Sequence, residues 1–166
     1  MTGIIAAMSL ELEGIKSHIE NIKETSVSGI VFYTGSIGGT EVVCAVCGVG
    51  KVNAAVCTQT MILRFAPDCI INTGVGGALT PELRICDVVC ATYGVQHDVD
   101  TSAIGDEPGF VSTVNVLRFP MDEKLSAELE TAMREVGVNP VRAAIATGDK
   151  FICSSEDKNR ISSMFG

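Results

Sequence analysis

Short apolar runs that stop abruptly and pass straight into helix-like stretches constrain this chain more than any other feature. Residues 3–7 (GIIAA) give way to MSLELEGI, in which Glu11 falls in the first turn of a helix expected over 9–21. Ser9 is the expected N-cap, and a carboxylate there is favoured by the helix dipole. The runs 30–34 and 41–46 read as a hairpin around Gly35–Gly39. A helix over 51–65 follows, then a buried strand over 69–73 bounded by Pro67 and Gly74. Strands are expected at 87–93 and 142–146, and helices at 122–136 and 154–164, the last with Glu156 and Asp157 near its start. Residues 101–120 have little periodicity and carry Gly105, Pro108 and Gly109, which marks a long functional loop. Alternation of this kind implies an α/β fold with a parallel or mixed sheet. No repeat, linker or second domain interrupts it.

Polar working groups in such sheets sit at the carboxyl ends of strands. Four segments meet that condition: Met8–Glu11, GVGKVNAA (48–55), INTGVGGAL (71–79) and TGDKFI (147–152). Glu11 is the candidate general base, since a helix terminus favours negative charge. Gly48-Val49-Gly50 begins like a dinucleotide fingerprint, but Asn53 stands where the third glycine belongs. The turn 74–77 exposes backbone N–H groups and lets a ligand approach closely. His97, Asp98 and Asp100 in QHDVD lack a second His or Cys at ligand spacing, so a structural hydrogen-bond network is expected there. Phe151 and Ile152 form an apolar pair at a strand end, suited to core packing or to stacking a flat ligand.

Composition excludes several partners. A net charge of −8, with 12 scattered basic residues, argues against nucleic acid. No uncharged apolar run reaches the roughly 18 residues of a membrane span. The N-terminus enters a strand at once, without the basic segment of a signal peptide. Of seven cysteines, Cys44 and Cys47 make a CxxC, but residues three apart on a strand face opposite ways, which suits a zinc clip badly. Buried, reduced thiols in a cytoplasmic protein are expected, with no metal site.

Taken in order, GIIAAM-x-x-E, YTGSIGGTEV, GVGKVNAA, PDCIINTGVGGAL, QHDVD and ATGDKFI resemble the bacterial 5′-methylthioadenosine/S-adenosylhomocysteine nucleosidases, within the purine nucleoside phosphorylase-like superfamily. The resemblance runs from residue 3 to the end. It implies a three-layer α/β/α fold with a central mixed sheet and a single domain over 1–166. It also implies cofactor-free hydrolysis of an adenine–ribose N-glycosidic bond, in a homodimer. Carried over, Glu11 matches the water-activating glutamate and Met8 a residue beneath the ribose. Val49 matches an apolar contact of the alkylthio side, Phe151 the ring that stacks on the purine, and Ile152 a backbone partner of the base. Val75, beside Gly76 in the purine-side turn, stands where many members have Ser. Ile104 stands near an aromatic that reaches into the neighbouring subunit. Met8-Ser9-Leu10-Glu11 replaces the phosphate-binding segment of the phosphorylases, and Lys51-Val52-Asn53 replaces their Pro-Ser, which favours hydrolysis over phosphorolysis. The family's ribose-binding Val-Glu-Met-Glu and its later Ser-Asp would fall beyond Gly166. A record truncated at its C-terminus, lacking the last strands and helices and inert by itself, is therefore the expectation. A phosphorylase and an inactive nucleoside-binding fragment are the alternatives.

Overall fold

The computed structural model describes residues 1–165 and divides into two compact units, Met1–Gly76 and Gly77–Gly166. The first holds a five-stranded mixed sheet in the order β2-β3-β4-β1-β5. Its strands are β1 (Thr2–Ala6), β2 (Glu20–Val27), β3 (Ile30–Ile37), β4 (Thr40–Val46) and β5 (Cys69–Asn72). β1 is central and parallel to both neighbours, with Ala6 opposite Val46 and Ile5 opposite Asn72. The alternation of side chains along β1 and β4 sends Ile5, Val43 and Ala45 to one face and Ala6, Val42 and Cys44 to the other. Helix α2 (Lys51–Phe65) covers the first face through Cys57 and Met61, beside Phe32. Helix α1 (Ser9–Lys16) covers the second through Leu12. This unit is thus the expected three-layer sandwich.

Cys44 and Cys47 lie in these two separate clusters, on opposite faces as the strand period requires. All seven cysteines are free thiols. Burial pushes the Cys44 and Cys57 thiols up from 9.0 to about 11.

The hairpin β3–β4 turns on Gly38-Gly39, both at positive φ, with Ile37 paired to Thr40. Such a two-residue loop needs left-handed backbone at both positions, and two glycines supply it. The loop is shorter than the expected 35–39, because Gly35 continues the strand opposite Val42. There a Cβ would run into Glu20 O.

The second unit holds a three-stranded sheet in the order β7-β6-β8, made of β6 (Val89–Gln96), β7 (Phe119–Pro120) and β8 (Val141–Thr147). Helix α3 (Glu123–Glu135) starts at Asp122, whose carboxylate accepts the Leu125 N–H at 2.8 Å. It ties to β8 through the buried Glu130, which ion-pairs with Arg134 and Arg142 at 2.9 and 3.0 Å. Helix α4 (Ser155–Phe165) brings Ile161 and Phe165 onto Val95.

Two expectations are corrected. Helix α1 ends at Lys16, not at residue 21, and 20–27 is an edge strand paired with β3. Every residue of β2 but Val27 is exposed, so no apolar alternation marked it. The expected loop 101–120 contains a 3₁₀ turn (Ser102–Ile104), a Val111–Val116 bridge and strand β7. No helix among the described residues is long and apolar enough to cross a membrane.

Candidate active site at the carboxyl ends of the parallel strands

Strands β4, β1 and β5 run parallel side by side, so the segments that leave them emerge at one edge of the first sheet. The Cys47 N–H donates to Ala6 O at 2.8 Å, and the Thr73 N–H to Ile5 O at 3.0 Å, which carries the alignment one residue past the strands. From this edge β4 delivers Val49, β1 delivers Met8 and Glu11, and β5 delivers Val75 and Gly76. Five of the seven expected site residues therefore come together in one unit.

Met8, not Ser9, caps α1. It has extended backbone, its carbonyl accepts the Glu11 N–H at 3.1 Å, and its own N–H donates to Glu11 Oε2 at 2.8 Å. The returning Glu11 side chain is the acidic half of a capping box. The other oxygen, Oε1, accepts the Val75 N–H at 2.9 Å, across 64 residues of sequence. Both carboxylate oxygens are thus fixed by backbone donors, one from its own helix start and one from the turn after β5. Each oxygen has two acceptor directions, so lone pairs remain for a further donor such as water.

The turn 73–76 reaches Glu11 only because residue 74 is glycine: a Cβ there would lie 2.8 Å from Glu11 Oε1. The sequence marked this glycine-rich turn as one that exposes N–H groups to a ligand. What it did not reveal is that one of those groups serves Glu11. The contact uses the backbone of Val75, whose side chain is 80% exposed, so Val in place of Ser leaves it intact.

Val49 is exposed in the turn before α2, and Met8 is partly exposed. Gly48 and Gly50 have φ of +88° and +101°, and Gly50 caps α2 with no side-chain hydrogen bond. Asn53 is a structural residue here: its Nδ2 donates to Val49 O at 2.7 Å and packs against Gly48, so the third fingerprint position is filled by a turn-closing amide.

Phe151 and Ile152 belong to the second unit, in the segment between β8 and α4. Phe151 is 90% exposed, while Ile152 is partly buried against the cluster of Val95, Ile161 and Phe165. Two carboxylates of QHDVD accept backbone N–H groups from outside the segment. Asp98 Oδ2 accepts the Asp149 N–H at 2.7 Å, and Asp100 Oδ1 accepts the Ser102 N–H at 2.9 Å. The Ser102 side chain first, and then its backbone N–H, hold the Asp100 carboxyl below the usual range.

Residues 2–166 match the phosphorylase superfamily. The 5′-methylthioadenosine/S-adenosylhomocysteine nucleosidase of Anoxybacillus flavithermus is 40% identical over 150 residues, which are 90% of this chain and 64% of that protein. The Neisseria meningitidis nucleosidase, solved with methylthio-immucillin-A, superposes with a TM-score of 0.94 at 38% identity, over 99% of this chain and 71% of the other. The Colwellia psychrerythraea nucleosidase, solved with adenine, gives 0.94 at 32% identity over 99% and 68%. The chain thus spans about two thirds of the length of the relatives it matches. The chain belongs to the phosphorylase superfamily and, within it, to the 5′-methylthioadenosine/S-adenosylhomocysteine nucleosidases.

Proposed function

We propose that this protein hydrolyses the N-glycosidic bond of 5′-methylthioadenosine and S-adenosylhomocysteine, releasing adenine. The observation that carries this reading is the Glu11 carboxylate, aimed by two backbone N–H groups at the carboxyl edge of three parallel strands. In this reading Glu11 accepts a proton from water as the water oxygen bonds to the anomeric carbon; the bond to the purine breaks with its electron pair on the purine nitrogen, and the purine gains a proton from solvent and leaves as adenine. A carboxylate fixed by the fold, not by its own rotamer, suits that work, because positioning a base lowers the entropy lost in reaching the transition state. Met8 lies beneath the ribose, Val49 contacts the alkylthio group, and Val75 and Gly76 flank the purine. For Phe151 and Ile152, in the second unit, the family resemblance implies purine recognition, by ring stacking and by a backbone hydrogen bond. The exposed apolar side chains at Val49, Val75 and Phe151 support a thioether nucleoside as substrate.

The unbroken family match over 2–166 supports one nucleosidase domain along this chain. A homodimer is the proposed assembly. Val52, Val56 and Leu63 leave an exposed apolar stripe on α2, and Ile104 is exposed on its 3₁₀ turn, which supports a second copy as partner. Free thiols throughout support a reducing, cytoplasmic setting.

The test is adenine release from 5′-methylthioadenosine by the purified chain in phosphate-free buffer. Release that Glu11→Gln abolishes supports hydrolysis. Release only on adding phosphate supports the phosphorylase reading, and adenine binding without turnover supports a nucleoside-binding protein.

A further inference from the structure

The junction of β6 with the turn after β8, inside the second unit, has no part in the chemistry assigned above, yet it is built tightly. The His97 N–H donates to Thr147 O at 2.9 Å. The His97 ring is 7% exposed, and its Nδ1 is buried with no hydrogen-bond partner among the described residues. Its edge lies against Gly148, where a Cβ would sit 2.5 Å from Nε2, 2.7 Å from Cε1 and 2.9 Å from Asp98 Cγ. One residue on, Asp98 Oδ2 takes the Asp149 N–H at 2.7 Å. A second anchor follows after Phe151 and Ile152. Lys150 Nζ donates to both oxygens of Asp157 at 3.1 and 2.9 Å. Ser154 Oγ donates to Asp157 at 3.0 Å and accepts the Asp157 N–H at 3.1 Å.

These contacts bracket an aromatic ring that is 90% exposed. An exposed ring on a free loop must lose backbone freedom when it stacks on a ligand, and that loss weakens binding. A loop fixed beforehand avoids it. An apolar side chain at position 97 would fill the same space without burying an unpartnered nitrogen, so core packing alone gives no reason for histidine.

We propose that His97 and Asp98 are positioning residues that clasp Gly148 and Asp149 and so hold Phe151 and Ile152 ready for the purine. The proposal rests on the reading of Phe151 and Ile152 as the purine pair. The His97 ring is the wedge that only a glycine at 148 admits, and the Asp98 carboxylate is the latch on the next amide.

The experiment is calorimetric titration of the full chain with adenine, together with amide exchange over residues 147–153. Asp98→Ala is expected to weaken adenine binding about tenfold, the loss of one hydrogen bond to a charged acceptor. It should also speed exchange across 147–153 while leaving β1 and β4 unchanged. Asp98→Asn keeps an acceptor oxygen and should restore both. Gly148→Ala, which leaves Asp98 in place and drives a Cβ into His97, should weaken adenine binding as well, and it serves if Asp98→Ala does not fold. Adenine affinity within twofold of the parent in the variants overturns the proposal, and so does failure of Asp98→Asn to restore it. If the parent chain does not bind adenine, the purine-pair reading falls and takes the clasp with it. Parent binding with indifferent variants removes the clasp alone.

Discussion

Glu11 is held at both oxygens by backbone, and the consequences are specific to single atoms. Glu11→Gln offers an N–H₂ where one of the two backbone donors needs an acceptor, and it cannot take a proton from water. Under the proposed reading, adenine release should fall by about 10²–10⁴-fold, measured by initial rates at saturating substrate. Gly74→Ala probes the same group without changing its chemistry. The new Cβ would sit 2.8 Å from Glu11 Oε1, the far end of a flexible side chain that can swing aside. Unfolding free energy should change by less than about 1 kcal/mol, whereas turnover should drop by roughly 10²-fold, since a displacement near 1 Å costs that much in a positioned group. Equal turnover in parent and Gly74→Ala would show that the Val75 contact has no part in placing the base. Glu11 itself was legible in the sequence, from its place after an apolar strand. Its second anchor was not, because no sequence pattern joins residue 11 to the amide of residue 75.

Helices with local start signals were read closely. Helix α2 follows its glycine turn over the expected residues, and α3 starts at an Asp that caps it. Asp122→Ala removes the acceptor for the Leu125 N–H and should cost about 1 kcal/mol, read from the midpoint of a urea titration. Helix α4 carries a pH signature. The hydrogen bond from Lys150, then that from Ser154, holds the Asp157 carboxyl below its ordinary 3.8. A depressed carboxylate stabilises the fold above its unfolded pKa, and the contribution disappears as pH falls through the folded value. Asp157→Asn should therefore destabilise the chain at pH 7, with the difference from the parent closing below pH 3.8 in a series of thermal melts. The element that escaped was β2. Its pairing with β3 holds an almost wholly exposed strand, so the stabilising term lies in the partner's backbone and not in the strand's own side chains.

Across the whole molecule the seven thiols report on packing. Cys86 and Cys153 are exposed, Cys44, Cys47, Cys57 and Cys90 are buried, and Cys69 lies between. A disulfide-exchange reagent should modify Cys86 and Cys153 first, and the four buried thiols only on unfolding. Rapid labelling of Cys44 in the folded chain would contradict the packing of α1 on the sheet. Cys44 and Cys57 also predict alkaline behaviour. Their folded values, raised to about 11 from 9.0, mean that the unfolded chain ionises first. Stability from these two groups is complete below pH 9 and is lost as pH rises through about 11, which melts from pH 8 to 11.5 would trace.

The sequence by itself determined the α/β alternation, the apolar stripes that bury each helix, the glycine turns and the family. Each is written in local spacing, in the period of a helix or strand or in the backbone freedom of glycine. Only the tertiary structure decided which strands lie side by side, that 20–27 is a strand at all, and that Gly74 brings the Val75 amide to Glu11. It also decided that His97 and Asp98 close on Gly148 and Asp149. Those facts depend on contacts between residues some fifty or sixty positions apart, such as the 64 from Glu11 to Val75 and the 51 from Asp98 to Asp149. The chain acquires such contacts only when burial of its apolar faces brings distant backbone together.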